Sequence, residues 1–137
     1  MSTATLAAAA PAIACGQIPS ITDPADHLGA VRSLIASSLV PKILDVDLKA
    51  EYPEEFLRAL GKIGGFRGAV APEFGGNGLG MKHVVQVMEE VAKECLSSAF
   101  LVWCQTACAR YIQMSNNDWL KKQFLPRIAS GEQLAGT

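Results

Sequence analysis

Val70-Ala71-Pro72-Glu73-Phe74-Gly75-Gly76-Asn77-Gly78-Leu79-Gly80 is the most unusual stretch of this sequence, and the rest of the chain is read outward from it. Glycine at this density is costly inside a helix or strand and cheap wherever φ must be positive. Pro72 has no backbone N–H to give to either kind of element. The stretch therefore predicts a tight loop, opening at about Phe66 and closing at Gly80. A phosphate-cradling reading fails on spacing. Gly76 and Gly78 need glycine or alanine at position 81 to complete a dinucleotide fingerprint, and Met81 stands there. No Gly-Lys-Ser/Thr follows, and no strand–helix–strand context surrounds the glycines.

Helical patterns lie on both sides of the loop. Upstream, residues 25–50 carry Leu28, Val31, Leu34, Ile35, Leu39, Ile43 and Leu44 near steps of three and four. Asp23 or Asp26 can cap this helix, and Pro41 must kink or restart it. A second helix is predicted from Pro53 as its first residue. Glu54 and Glu55 sit at its positive end, Phe56, Leu57, Leu60 and Ile63 form its apolar face, and Gly64 and Gly65 stop it. Downstream, a third helix is expected over 81–94, with Val84, Val87, Met88, Val91 and Cys95 on one face and Glu89 paired to Lys93 on the other. A fourth, 97–114, is apolar nearly all round, so it is central to its domain or lies at a large interface. Asn117 caps a fifth, whose stripe is Trp119, Leu120, Phe124, Leu125 and Ile128; Pro126 bends its later part and Gly131 ends it. The expected fold is all-α, an orthogonal or up-down bundle of about five helices.

Composition agrees. The chain has 137 residues, 50% apolar and 18% charged, enough to bury one core. Its formal net charge of -1 is no footprint for nucleic acid or an anionic membrane. Residues 1–24 read as a flexible Ala/Pro-rich leader. No basic residue precedes Arg32, which argues against a secretory or mitochondrial signal. The apolar run 96–112 is interrupted by Ser97, Ser98, Gln105, Thr106 and Arg110, and it is not expected to span a membrane. Cys15, Cys95, Cys104 and Cys108 fit free thiols in a reducing, cytoplasmic setting.

No catalytic group stands out. Cys104 and Cys108 share a helix face, yet small buried cysteines are common in cores, and no metal site is expected. Adjacent carboxylates at Glu54-Glu55 and Glu89-Glu90 diverge by about 100° on a helix and do not converge on one substrate. No Gly-x-Ser-x-Gly elbow exists, His27 and His83 have no evident orienting partner, and His83 reads as a surface or loop-contact residue. Arg110 is expected to snorkel outward. Phe100, Trp103 and Tyr111 leave the fourth helix no polar face to spare, so part of its surface must meet another domain or a ligand pocket.

From about Asp26 to the end, the chain resembles the amino-terminal helical domain of acyl-CoA dehydrogenase flavoproteins. Five segments carry the resemblance in order. They are Tyr52-Pro53-Glu54-Glu55-Phe56, Leu60-Gly61-Lys62-Ile63-Gly64-Gly65-Phe66, the Ala71–Gly80 loop, Glu89-Glu90-Val91-Ala92, and Lys121–Pro126 followed by Ala129-Ser130-Gly131-Glu132. The loop is the most specific of them. The resemblance implies α,β-dehydrogenation of an acyl-CoA thioester, with FAD taking the β-hydride after a carboxylate removes the α-proton. It also implies a following β-domain that supplies most of the flavin site, and a second helical bundle with the base and the oligomer contacts.

On this reading residues 25–133 are the helical domain, and 134–137 begin a β-domain that the chain lacks, so it is expected to be an inactive fragment. Ala99, Phe100, Trp103 and Ala107 are placed by the resemblance on the substrate-pocket side. Catalytic and cofactor-binding residues are not assigned. The full-length protein is expected to be a dimer or tetramer that passes electrons to a partner protein or to oxygen. Same-fold flavin monooxygenases and nitroalkane oxidases, and a helical binding module without chemistry, are the competing readings.

Overall fold

A computed structural model describes residues 23–136. The leader, with Cys15, lies outside the described residues apart from its last two positions, and Thr137 also lies outside them. Six α-helices follow one another: α1 (Pro24–Leu34), α2 (Ile43–Lys49), α3 (Glu54–Lys62), α4 (Gly80–Ala92), α5 (Leu96–Met114) and α6 (Asp118–Ala129), with no strand among the described residues. The first two are the predicted first helix, interrupted around Pro41, so the five-helix all-α architecture stands.

Asp23 caps α1, its Oδ1 accepting the Ala25 N–H at 2.8 Å. Ahead of Pro41 the helix widens into a π turn, Ile35–Leu39, and then tightens into a 3-10 turn, Val40–Lys42. Proline cannot donate to the preceding turn, and an inserted wide turn is a usual way to absorb that. The interruption shifts the helical phase. Val31, Ile35 and Leu39 face inward as expected, but beyond Pro41 the inward residue is Val46, and Leu44 turns out to solvent.

The start of α3 also differs from expectation. Pro53 is the residue before the helix, with φ -79° and ψ 56°, and Glu54 is the first helical residue. A tight turn causes this, the Glu54 N–H donating to Tyr52 O at 2.8 Å. At the other end Gly65 N–H reaches Leu60 O and Gly64 N–H reaches Gly61 O, a Schellman closure with Gly64 at φ 95°.

The glycine loop is a fold device. Gly76 N–H donates to Ala71 O and Asn77 N–H to Arg67 O, which pulls the loop against the 3-10 turn Arg67–Ala69. A Cβ on Gly76 would lie 1.7 Å from Val70 O, so no side chain fits there. Gly75, at φ 90°, makes the turn that allows the approach.

Helix α5 packs between α4 and α6 and spans two core clusters. One holds Phe56, Leu57, Leu60, Phe66, Val87, Val91, Ala99 and Val102. The other holds Val84, Ala109, Leu125 and Ile128, and Met88 packs against both. Cys95 begins α5, its Sγ accepting the Ser98 N–H, while the thiol lies 3.9 Å from the Asp47 carboxylate. Asn117 caps α6 through the Leu120 N–H, as its position predicts. Pro126 is accommodated inside α6, and Gly131, at φ 74°, follows its end.

Lys93 pairs with Glu90 at 2.9 Å, and not with Glu89. Glu90 also accepts from Arg32 of α1 at 3.2 Å. The Lys93 ammonium, with burial working against it and Arg32 assisting, holds the Glu90 carboxyl below the usual range. Among the described residues, no helix is long and apolar enough to cross a membrane.

Candidate functional site

Helix α5 buries Ala99, Val102 and Ala109 together with three polar residues, and leaves its largest apolar residues outside. Ser98, Gln105 and Thr106 are 0%, 2% and 1% exposed, whereas Phe100, Trp103 and Tyr111 are 60%, 44% and 63% exposed. Leu96, Phe100, Trp103, Ala107, Tyr111 and Met114 recur at steps of three and four, which puts them on one stripe along the helix. Ala107 is half-buried and the other five are exposed. An ordinary surface helix points its apolar stripe at the core. Here the stripe points away from the core.

Two of the three inward polar side chains are hydrogen-bonded, while the Ser98 hydroxyl is buried without a partner among the described residues. Thr106 Oγ1 donates back to Val102 O and Trp103 O, a local bond that needs no outside partner. Gln105 works at longer range. Its Nε2 donates to Ile128 O at 3.0 Å and Gln133 O at 2.9 Å, and its Oε1 accepts the Ala135 N–H at 2.6 Å. Arg58 of α3 reaches the same region, donating to Gly131 O and Glu132 O. Residues 131–135 have no helix or strand of their own, yet they are pinned between α3 and α5.

Outside, Phe100 and Trp103 stack with ring centroids 5.6 Å apart and planes 22° from parallel. An offset pair like this joins the two rings into one continuous apolar surface. Tyr52 stands exposed ahead of α3, and burial of part of its ring pushes its hydroxyl pKa up. Of the expected pocket residues, Phe100, Trp103 and Ala107 therefore share the outward stripe. Ala99 does not join them: it is 4% exposed and belongs to the inner core, because it lies about 100° round the helix from Phe100. Arg110 is exposed, as expected of a snorkelling side chain.

Residues 26–132 match the family model for the acyl-CoA dehydrogenase N-terminal domain. The chain belongs to the acyl-CoA dehydrogenase family. It is 31% identical over 106 residues to a probable acyl-CoA dehydrogenase of Mycobacterium tuberculosis, covering 77% of this chain and 27% of that protein. Glutaryl-CoA dehydrogenase of Desulfococcus multivorans is 32% identical over 112 residues, covering 77% and 28%. Among solved structures, the glutaryl-CoA complex of glutaryl-coenzyme A dehydrogenase superposes with a TM-score of 0.76 at 25% identity, over 83% of this chain and 30% of that one. Butyryl-CoA dehydrogenase of Megasphaera elsdenii gives 0.72 at 23% identity, over 81% and 30%, which shows a shared fold. The chain spans roughly a quarter to a third of these relatives, and the part it matches is the acyl-CoA dehydrogenase amino-terminal domain.

Within this acyl-CoA dehydrogenase domain, sequence reasoning missed three features. Gln105 reads as an interruption in an apolar run, and its three long-range bonds come only from the fold. Cys95 reads as a core residue, and it is one at 3% exposure, but the sequence does not show its second role as the cap of α5. His83 reads as a surface or loop-contact residue, and the structure buries it at 3% exposure against His27. The two histidines are far apart in sequence, so neither could be seen to orient the other.

Proposed function

We propose that this chain is the amino-terminal helical domain of an FAD-dependent oxidoreductase that dehydrogenates acyl-CoA thioesters between the α and β carbons. In that protein the outward stripe of α5 forms one wall of the acyl and flavin pocket. The exposed apolar stripe of α5 carries the reading. A helix that buries Ser98, Gln105 and Thr106 and exposes Phe100, Trp103 and Tyr111 is shaped for an apolar neighbour. The stacked Phe100–Trp103 pair offers apolar aromatic surface suited to an acyl chain or a planar ring system.

FAD, when bound, accepts the hydride from the β carbon. The residues of this chain position and exclude water. Phe100 and Trp103 offer apolar surface against which an acyl chain desolvates, and Ala107, being small, leaves a recess one turn further on. Gln105 and Arg58 hold residues 131–135 in a set direction beside α5. In the whole protein that segment leads into the flavin-binding β-domain, so its anchoring sets that domain against the stripe. An electron-transfer partner or oxygen reoxidises the flavin, and a dimer or tetramer is the assembled form. Residues 1–137 alone are inactive on this reading.

Two measurements test it. Purified 1–137, mixed with FAD, an acyl-CoA and an electron-accepting dye, is expected to leave the dye unreduced; tight FAD binding with reduction by acyl-CoA refutes the assignment of inactivity. In the protein that carries this domain with its flavin domain, Trp103→Ala is expected to shift acyl chain-length preference toward bulkier groups. An unchanged preference removes Trp103 from the pocket wall.

A further inference from the structure

The first turns of α1 and α4 meet at the end of α3 through two buried histidines. His27 and His83 are 6% and 3% exposed. Nδ1 of His27 lies 2.7 Å from Nε2 of His83, and Nε2 of His27 lies 2.8 Å from Ile63 O. A carbonyl oxygen can only accept, so Nε2 of His27 carries its proton and Nδ1 presents a lone pair. That lone pair accepts from Nε2–H of His83. The donors therefore run His83 to His27 to Ile63, which defines the tautomer of both neutral rings. The basic nitrogen left over is Nδ1 of His83, which is buried without a hydrogen-bond partner among the described residues.

Protonation of this relay is ordered. The first proton goes to Nδ1 of His83 and leaves both hydrogen bonds in place. A second has only Nδ1 of His27 to occupy. It breaks the His83–His27 bond and sets two cations together in rings whose centroids are 4.8 Å apart.

We propose that the His27–His83–Ile63 relay is an acid-opened latch, tying α1 and α4 to the end of α3 until the second proton forces the rings apart. Burial holds both rings below their ordinary pKa, for His83 with the neighbouring His27 adding to it. The ionisable groups on the elements packed here are Asp23 and Asp26 of α1, Lys62 of α3, Arg67 of the 3-10 turn and Lys82 of α4. Arg32 and Glu90, further along α1 and α4, are bonded to each other. His83 follows Gly80 by one turn, so opening the latch also loosens the anchor of the glycine loop.

The sign follows from the depressed values. Each ring binds its proton more weakly in the folded chain than in the unfolded one, where the value is about 6.5. The latch is fully stabilising above that pH, and its contribution is lost as pH falls below it. Each proton taken up on unfolding raises the unfolding constant by up to about tenfold per pH unit.

NMR of the imidazole ring nitrogens in the full chain tests the relay, together with urea unfolding between about pH 7.5 and 4.5. Both rings are expected as Nε2–H tautomers at neutral pH, with both titrations below the ordinary range. His83→Gln keeps an N–H donor for His27 and removes the first proton site. It is expected to lower the pH dependence of the unfolding constant by up to about tenfold per pH unit. An Nδ1–H tautomer at either ring, an ordinary titration, or an unchanged pH dependence in His83→Gln overturns the proposal. If His83→Gln does not fold, the ring nitrogens of the unsubstituted chain still decide it.

Discussion

Gly61→Ala should destabilise the domain even though the same change inside most helices stabilises it. Gly61 lies in the last turn of α3, where alanine normally gains about 1 kcal/mol over glycine. Against that stands a backbone crossing. A Cβ at 61 would lie 2.5 Å from Gly131 Cα, 2.6 Å from Gly131 N and 2.8 Å from the Ser130 carbonyl carbon. Carbon atoms settle at about 3.5–4.0 Å, so the end of α6 must retreat by about 1 Å. All three opposing atoms are backbone, and no side-chain rotation relieves them. Overpacking of this kind costs about 1–3 kcal/mol. Retreat also stretches the bonds from Arg58 to Gly131 O and Glu132 O, now 3.1 and 2.6 Å. Each bond made by a charged group contributes about 1.5–3 kcal/mol when buried, and less at this partly exposed site. The net expectation is a loss of about 1–3 kcal/mol, or a Tm lower by roughly 5–10 °C for a chain of this size. Gly29→Ala is the matched control. A Cβ there meets nothing within 4 Å, so it should gain up to about 1 kcal/mol. Urea unfolding followed by far-UV circular dichroism reads both. If Gly61→Ala is as stable as the parent chain, the close α3–α6 crossing is not real.

Gln105→Leu leaves Gln133 O and Ala135 N–H without their Gln105 partner, while Ile128 O keeps the Gly131 N–H; we expect a loss of about 2–3 kcal/mol in urea unfolding and faster amide exchange at Ala135. Exchange no faster than in the parent would mean that the 131–135 segment is held by something else. Phe100→Gln with Trp103→Gln removes exposed aromatic surface from the stripe, so stability should move by less than about 1 kcal/mol while binding of an apolar dye falls severalfold; dye binding that stays level would locate the sticky surface elsewhere. Asn117→Ala deletes the α6 cap and should cost about 1 kcal/mol, read as a lower urea midpoint at unchanged slope.

Much of the architecture was legible because its signals are local. The caps Asp23 and Asn117, the stop at Gly64 and the inward faces of α3 and α4 depend on residues within one or two turns of each other. Leu44 was misread because periodicity assumes one helical phase, and the π turn before Pro41 changes it. Pro53 was misread by one place because the turn at Tyr52 competes with the first helical position. Lys93 has Glu89 and Glu90 one turn back, and local spacing could not decide between them; the structure puts it on Glu90, which Arg32 of a distant helix also holds.

The candidate site divides along the same line. The sequence by itself determined that α5 has more apolar surface than a small bundle can bury, since seventeen residues from 96 to 112 hold few polar side chains. Only the tertiary structure decided which side is left over. Burial follows from what the neighbouring helices offer, and α6 with residues 131–135 offers backbone carbonyls and an N–H that Gln105 bonds. That contact, with the packing of Val102 and Ala109, fixes the rotation of α5 and leaves Phe100 and Trp103 outward. It moves Ala99 into the core, and contacts far apart in sequence likewise bring His27 onto His83.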